Sequence, residues 1–407
     1  MEFFLSDEQG PLGDVTRRCI YCGRDKPAVE FTDEHIWPDA LGGDCLPSQW
    51  RTDDVCGKCN NLAGLFVDGV FIKSFFGSAE RWHGAHDYLT LSDVDRAVLP
   101  LAYLSRLRDV PLADNEVAEF WSGPCGAHII HIRPAIDEAT WSSYAGGDPR
   151  ARKLAAGRAY MSFTSTNPFW ITVAVNSFKA HFRRAKRYLV NSNVPPQWAA
   201  DFSTPDPTDE TTARDLVVVK HVADASRRKQ SVRSTIEMRV DQDSRLLAKI
   251  ALGVGHNLLG KAFDDSPYAA LLRQALWEKD FQKRQSIPVR GSGYLNGGSA
   301  LAAIVPVLHW PGAWVLMLNV VKGSLCLTVV SPGKMSMGIV VTDDGQLVSQ
   351  LGPDVHDGIV WLTVPSIQDC VGPLPQPAYI AHQIGASTNE KLQALAAKRN
   401  RDVLPPC

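Results

Sequence analysis

The pattern of apolar and polar positions predicts a small mixed unit at the start of the chain and a larger mixed region behind it. Phe31 to Trp37 combines aromatic and β-branched residues, and Pro38 disfavours helix at Trp37, so this run reads as an extended strand. Asp39 to Gln49 reads as a loop with Gly42-Gly43 as its flexible point. After Cys59, the residues Leu62, Leu65, Phe66 and Val70 fall at helical spacing, and Asn60 suits a helix start. Farther along, His128 to Arg133 and Met161 to Val175 read as strands. Asn176 to Val190 reads as a helix with Phe178, Phe182, Ala185 and Leu189 on one face.

Ser192 to Thr212, punctuated by Pro, Asp and Thr, is the linker candidate. Beyond it Leu216 to Val222 and Thr235 to Val240 read as strands. Asp243 or Ser244 then caps a helix striped by Leu247, Ile250, Ala251, Val254 and Leu258, and Pro267 to Lys279 continues as a second helix. A Gly-rich loop, 291–299, leads into β-type runs at Leu301 to Leu308, Trp314 to Val321, Leu325 to Val330, Gly338 to Val341 and Ile359 to Val364. Asn389 to Asn400 closes as a helix. The expectation is an α+β protein divided at 1–78, 79–200 and 213–407, with helices over 244–279 and a β-rich stretch over 300–365.

With 407 residues the chain is long enough for two or three domains. A formal net charge of −2 excludes a polycation, so nucleic-acid binding has to come from local patches. The opening MEFFLSDEQGPLGD lacks a basic start, and no apolar run approaches a membrane span, so a cytoplasmic protein with no membrane is expected. In that setting the nine cysteines suggest metal binding for the clustered four and reduced thiols for Cys45, Cys125, Cys326, Cys370 and Cys407.

The cluster is Cys19/Cys22 and Cys56/Cys59, two Cys-x-x-Cys knuckles that suit tetrahedral, structural Zn²⁺. Metal is a sensible staple for a unit of roughly sixty residues, which buries little apolar surface. Glu34 and His35 lie between the knuckles, and Asn60 follows the last cysteine. A neutral His can take a proton from water at physiological pH, while a carboxylate and an amide carbonyl can hold Mg²⁺ or Mn²⁺ with positions left for water and phosphate.

Residues 19 to 68 resemble the HNH (His-Asn-His, ββα-metal) endonuclease family, in particular the four-cysteine branch that includes phage recombination endonuclease VII. The phrase EHIWPDALGG followed by VCGKCNN carries the likeness. The resemblance implies His35 as general base, Glu34 and Asn60 on the catalytic Mg²⁺ or Mn²⁺, Cys19, Cys22, Cys56 and Cys59 on structural zinc, and DNA as substrate. Two departures stand out. Glu34 replaces the common Asp, and the family's middle Asn has no counterpart between Ile36 and Cys59, leaving Gln49, Asp53 and Asp54 as candidates to orient His35.

Outside the module, Lys179, Arg183, Arg184, Lys186 and Arg187 form a basic face for nucleic-acid phosphates, with a solvated helix face as the equal alternative. Arg227, Arg228 and Lys229 form a smaller, solvated cluster, and His83-x-x-His86 and His128-x-x-His131 lack companion ligands. The leading expectation is therefore a metal-dependent HNH endonuclease. Its rivals are a non-catalytic zinc-containing nucleic-acid-binding protein and a bacterial antiviral defence effector governed by an activating ligand or protein partner acting through the C-terminal region.

Overall fold

The computed structural model describes residues 16–91, 94–136, 141, 144–149, 156–163, 165–190, 201–238, 240–292, 305–399 and 404–406. The expected leader 1–15, the first part of the linker, the Gly-rich loop from residue 293 onward and Cys407 lie outside them.

The predicted strand, loop and helix of the amino-terminal unit are all present. Phe31–His35 pairs antiparallel with Arg51–Cys56, with an irregularity between Thr32 and Glu34. The intervening loop is wound into the turns Asp39–Leu41, Gly43–Cys45 and Ser48–Trp50. Gly42 sits there at φ 91°, and a Cβ on it would meet Thr363 Oγ1 at 2.6 Å. Only glycine combines that backbone with so close an approach. The following helical run begins at Gly57, three residues before Asn60, and continues to Ile72 through a π-type stretch at Gly64–Asp68.

Behind this module lie two sheets, each six-stranded among the described residues. The middle sheet runs in the order Ser234–Thr235, Ala102–Leu107, Glu116–Ser122, His128–Pro134, Arg158–Ser162, Lys186–Leu189, with only its last pair parallel. The C-terminal sheet runs Gly291–Ser292, Ser336–Thr342, Ser324–Val330, Trp314–Val321, Ile359–Val364, Asp369–Pro375 and is antiparallel throughout.

The module shares one hydrophobic core with the C-terminal half. Ile36, Trp37, Trp50 and Phe71 pack with Leu247, Ile250 and Ala251 of helix Val240–Leu259 and with Trp314 and Trp361 of the C-terminal sheet. Trp37 meets Trp314 edge-on at 5.5 Å, and Trp50 meets Trp361 at 5.3 Å. Such pairs contribute about 0.5–1.5 kcal/mol each beyond their burial. Gly253 lets the helix close on the module, since a Cβ there would lie 2.6 Å from Ile36 Cγ1.

Several elements differ from expectation. Met161 to Val175 is not one strand: Arg158–Ser162 is extended, and Pro168–His181 is a helix capped by Asn167, whose side chain accepts from the Phe169 amide at 3.0 Å. Burial of Trp170, Val173 and Phe178 overrides the β preference of Ile171, Thr172 and Val173. That helix ends at His181, and Lys186–Leu189 becomes an edge strand, with Tyr188 stacked on Tyr160. Leu216 to Val222 is helical within Glu210–Arg227, which Asp209 caps through the Thr212 amide at 2.8 Å; Val218, Val219 and Val222 face inward at helical spacing. That helix also takes up the end of the expected linker. Of the next expected strand, Thr235 to Val240, only Thr235 is paired, as the end of Ser234–Thr235, and Val240 already opens the following helix, ahead of Asp243 and Ser244. Residues 305–308 are helical rather than extended. Among the remaining cysteines, Cys45, Cys326 and Cys370 are free as expected, whereas Cys125 is disulfide-bonded.

Candidate functional site

The two knuckles come together as their spacing predicts. Cys19, Cys22, Cys56 and Cys59 each bring a sulfur within 4.8 Å of the others. Four sulfurs about 2.3 Å from a common zinc would lie about 3.8 Å apart, so the group suits tetrahedral zinc with little adjustment. The Cys56 amide already donates to Cys19 Sγ at 3.3 Å. The Cys59 thiol draws Cys19 down to about 5; burial opposes this, and the Cys56 and Cys22 amides assist it. Helix Pro267–Trp277 braces the knuckle from outside, where Arg273 and Trp277 donate to the Ile20 and Tyr21 carbonyls, both at 2.8 Å.

Glu34 and His35, adjacent in sequence, enter different surroundings. The Glu34 carboxylate is buried, at 4% exposure, and accepts from the Tyr21 hydroxyl at 3.1 Å. Its counter-ion is Lys249, at the centre of helix Val240–Leu259. The ammonium lies 2.7 Å from Glu34 Oε1, 2.7 Å from Asp68 Oδ2 and 3.1 Å from the His35 carbonyl, so all three N–H groups are used. Burial pushes Glu34 and Asp68 up from their ordinary values, with Lys249 pulling the other way. Burial alone would lower Lys249, but Asp68 and then Glu34 hold it above its ordinary value. An ion cluster this deep is stable only while it remains whole.

The His35 ring lies on the other side, at the rim. Nδ1 is 3.1 Å from Asp39 Oδ1, and Nε2 is 3.1 Å from Asp44 Oδ1. Nε2 is shielded from solvent and makes no hydrogen bond among the described residues. Arg51, paired with His35 across the hairpin, donates to Asp44 Oδ1 at 3.0 Å. Asn60 donates to Thr32 Oγ1 at 3.1 Å and to the Asp33 carbonyl at 2.9 Å.

The expected Glu34–Asn60 pair is thus not joined by any contact among the described residues. The side chains beside His35 are Asp39 and Asp44, in place of the expected Gln49, Asp53 or Asp54. Asp53 and Asp54 instead take Arg17, Asp54 also takes His256, and the Gln49 carbonyl accepts from Asn257. Asp39, Asp44 and His35 form a group whose ligand atoms lie within 4.8 Å of one another, a donor set dominated by hard oxygens that fits Mg²⁺ or Mn²⁺.

Lys249 could have been singled out as the lone charge within the apolar run from Leu246 to Val254. Asp39 and Asp44 carried no comparable signal, because a loop's fold decides which of its carboxylates returns to the strand.

The basic residues do not form one helical face. Lys179 pairs with Asp201 and, with Arg187, lies over the Phe202 ring. Lys186 covers Tyr188, while Arg183 and Arg184 are exposed in the turn after His181. No single helix among the described residues is long and apolar enough to cross a membrane. The bent pair Gly57–Ile72 and Phe75–His86, apolar enough when taken together, buries Val67 and Phe71 in the shared core.

Hairpin, following helix and cysteine cluster together define a zinc-binding HNH module. Residues 19–76 match the family model described as HNH endonuclease, which implies a nuclease-type function and a nucleic-acid substrate for this module. No curated protein and no solved structure matches the chain.

Proposed function

We propose that the protein is a divalent-metal-dependent endonuclease that hydrolyses phosphodiester bonds of DNA, with His35 as general base. The observation that carries this reading is His35 at the rim of a cysteine-clustered hairpin-helix unit, with Asp39 3.1 Å from its Nδ1 and Asp44 3.1 Å from its Nε2. Asp39 holds the ring in one orientation, and Nε2 can accept the proton of an attacking water once a cation draws Asp44 away from it. Arg51 supplies a fixed positive charge next to that water and can meet a phosphate oxygen. Asp44 and Asp39 would hold Mg²⁺ or Mn²⁺ beside His35, the Asn60 side-chain carbonyl would join them only by turning toward the rim, and Glu34 would become a ligand only if Lys249 released it. The bound cation supplies Lewis-acid stabilisation of charge on the phosphate.

Helix Val240–Leu259 grips the strand that bears His35. This contact gives the C-terminal half a physical route by which a ligand or protein partner could control cleavage, as a defence effector requires. The test is nicking of supercoiled plasmid by the full chain with Mg²⁺, with Mn²⁺ and with EDTA, beside His35→Ala. Metal-dependent nicking that the variant loses supports the reading, and equal nicking by both proteins overturns it. The capture of Glu34 by Lys249 favours one second reading, a non-catalytic nucleic-acid binder, which would retain DNA in EDTA and cut under no metal.

A further inference from the structure

A second concave site lies away from His35, between the middle sheet and the turn that follows helix Pro168–His181. It is a cavity of about 250 Å³ lined in part by Lys73, His131, Arg133, Phe182, Arg183 and Arg184. One wall is a buried charge network. Glu119, fully buried, accepts from Arg133 Nε at 2.9 Å and from the Gly146 amide at 2.9 Å, and lies 2.9 Å from His131 Nδ1. Arg133 and His131 hold the Glu119 carboxyl well below its usual range, although burial opposes them. A network this deep is costly unless every partner is fixed, so the Arg133 fork and the His131 ring are rigid features of the wall.

The rim adds mobile positive charge. Arg183 and Arg184 are exposed and pair with no carboxylate among the described residues. Among the described residues, Asp148 is the single acidic lining residue. In a chain whose formal net charge is −2, this is a local cationic excess. The floor is aromatic: Phe182 contacts Trp121 edge-on at 5.7 Å and His131 at 4.9 Å.

We propose that this cavity binds a nucleoside phosphate, with the phosphate held by Arg183 and Arg184 and the base resting against Phe182. Arginine forks suit phosphate oxygens, and aromatic floors suit bases of any sequence. The enclosed volume, about 250 Å³, lies just below the usual range for small-molecule sites, so the cavity takes part of a nucleotide, with the remainder at the open rim, and excludes a duplex. The ligand is either a free nucleotide or one unit of a single strand, the recognised chemistry being the same. Lys73 directly follows the module helix, and its carbonyl accepts from the Ala145 amide at 3.0 Å.

Binding is measured without cleavage, so this inference stands or falls separately from the nuclease reading. The full chain is titrated calorimetrically with the four common nucleoside 5′-monophosphates, with the nucleosides and inorganic phosphate, and with a short single-stranded oligonucleotide. At least one monophosphate, or the oligonucleotide, is expected to bind at least tenfold more tightly than phosphate or nucleoside alone. Arg183→Ala/Arg184→Ala should weaken that binding at least tenfold with an unchanged melting temperature, Arg183→Lys/Arg184→Lys should restore part of it, and the remote control Arg228→Ala/Lys229→Ala should leave it intact. Tight binding of a monophosphate identifies a free nucleotide as the source, and tight binding of the oligonucleotide alone identifies a strand. Phosphate binding as tightly as every nucleotide probe, no saturable binding of any probe, or wild-type affinity in the double alanine variant would overturn the proposal.

Discussion

The two sides of strand Phe31–His35 use the same residue types for opposite ends. On the inner side two carboxylates, Glu34 and Asp68, are sealed around Lys249, and every N–H of that ammonium is used. On the outer side two carboxylates, Asp39 and Asp44, flank His35 while remaining in contact with water. Enclosed charge of this kind stabilises one arrangement and resists change, whereas charge at a rim can meet a metal, a water or a phosphate. The contrast teaches that acidity beside a histidine is not enough to identify a ligand; the partner already holding that carboxylate decides.

The largest effect should come from the zinc that frames both sides. Structural zinc contributes about 10–16 kcal/mol to folding in small units. Cys56→Ser, or treatment with a strong chelator, should therefore abolish the cooperative melt of the module, and Arg273 and Trp277 should lose their carbonyl partners on it. Metal analysis of the purified protein should return one zinc per chain. A Cys56→Ser protein that melts like wild type would remove zinc from the argument.

Next is the inner side alone. Lys249→Met leaves Glu34 and Asp68 buried without a counter-ion, and breaking such a cluster costs about 3–5 kcal/mol. The melting temperature should fall accordingly, and adding Glu34→Gln and Asp68→Asn should recover much of the loss by removing the stranded charges. If the triple variant is no better than Lys249→Met, the cluster is not acting as an ion pair.

How far these sides were legible in the sequence follows from the distance between partners. The zinc knuckles were readable because each pair of cysteines is local and the chemistry of four thiols is narrow. The strand, loop and helix of the module, and most strands of the C-terminal sheet, followed from short-range pattern. Lys249 was not assigned a role because it lies 214 positions from the His35 carbonyl it holds. The helices Pro168–His181 and Glu210–Arg227 were misread at Ile171 to Val175 and Leu216 to Val222 for a different reason: β-branched runs look like strands until a cap and a buried face override them. The strand Lys186–Leu189 was misread as helix because its register is set by Arg158–Ser162, a neighbour that periodicity does not reveal.

The outer side should respond in activity and not in stability. His35→Ala should lower the nicking rate by about 10²–10⁴-fold, the usual contribution of a general base. Asp39→Asn should lower it by about 10–100-fold, as expected for a group that orients a functional side chain. Both variants should melt like wild type, since Asp39 is exposed and His35 lies at the rim. A large stability loss in either variant would erase the distinction between the two sides.

The smallest effect concerns the edge where helix Val240–Leu259 meets strand Arg51–Cys56. His256 Nδ1 lies 2.8 Å from Asp264 Oδ2, and its Nε2 lies 3.0 Å from Asp54 Oδ2. Burial alone would lower this imidazole, but Asp264 and then Asp54 raise it above its ordinary value of 6.5. The folded protein then holds the proton more tightly than the unfolded chain does. Its contribution is present in full below about pH 6.5 and is lost as pH rises through the higher folded value. The denaturant midpoint of wild type should therefore decline as pH rises above about 6.5, and His256→Gln should flatten that decline without altering the effect of Lys249→Met. An equal decline in His256→Gln would mean that the pH dependence arises elsewhere and that the helix is gripped at Lys249 alone.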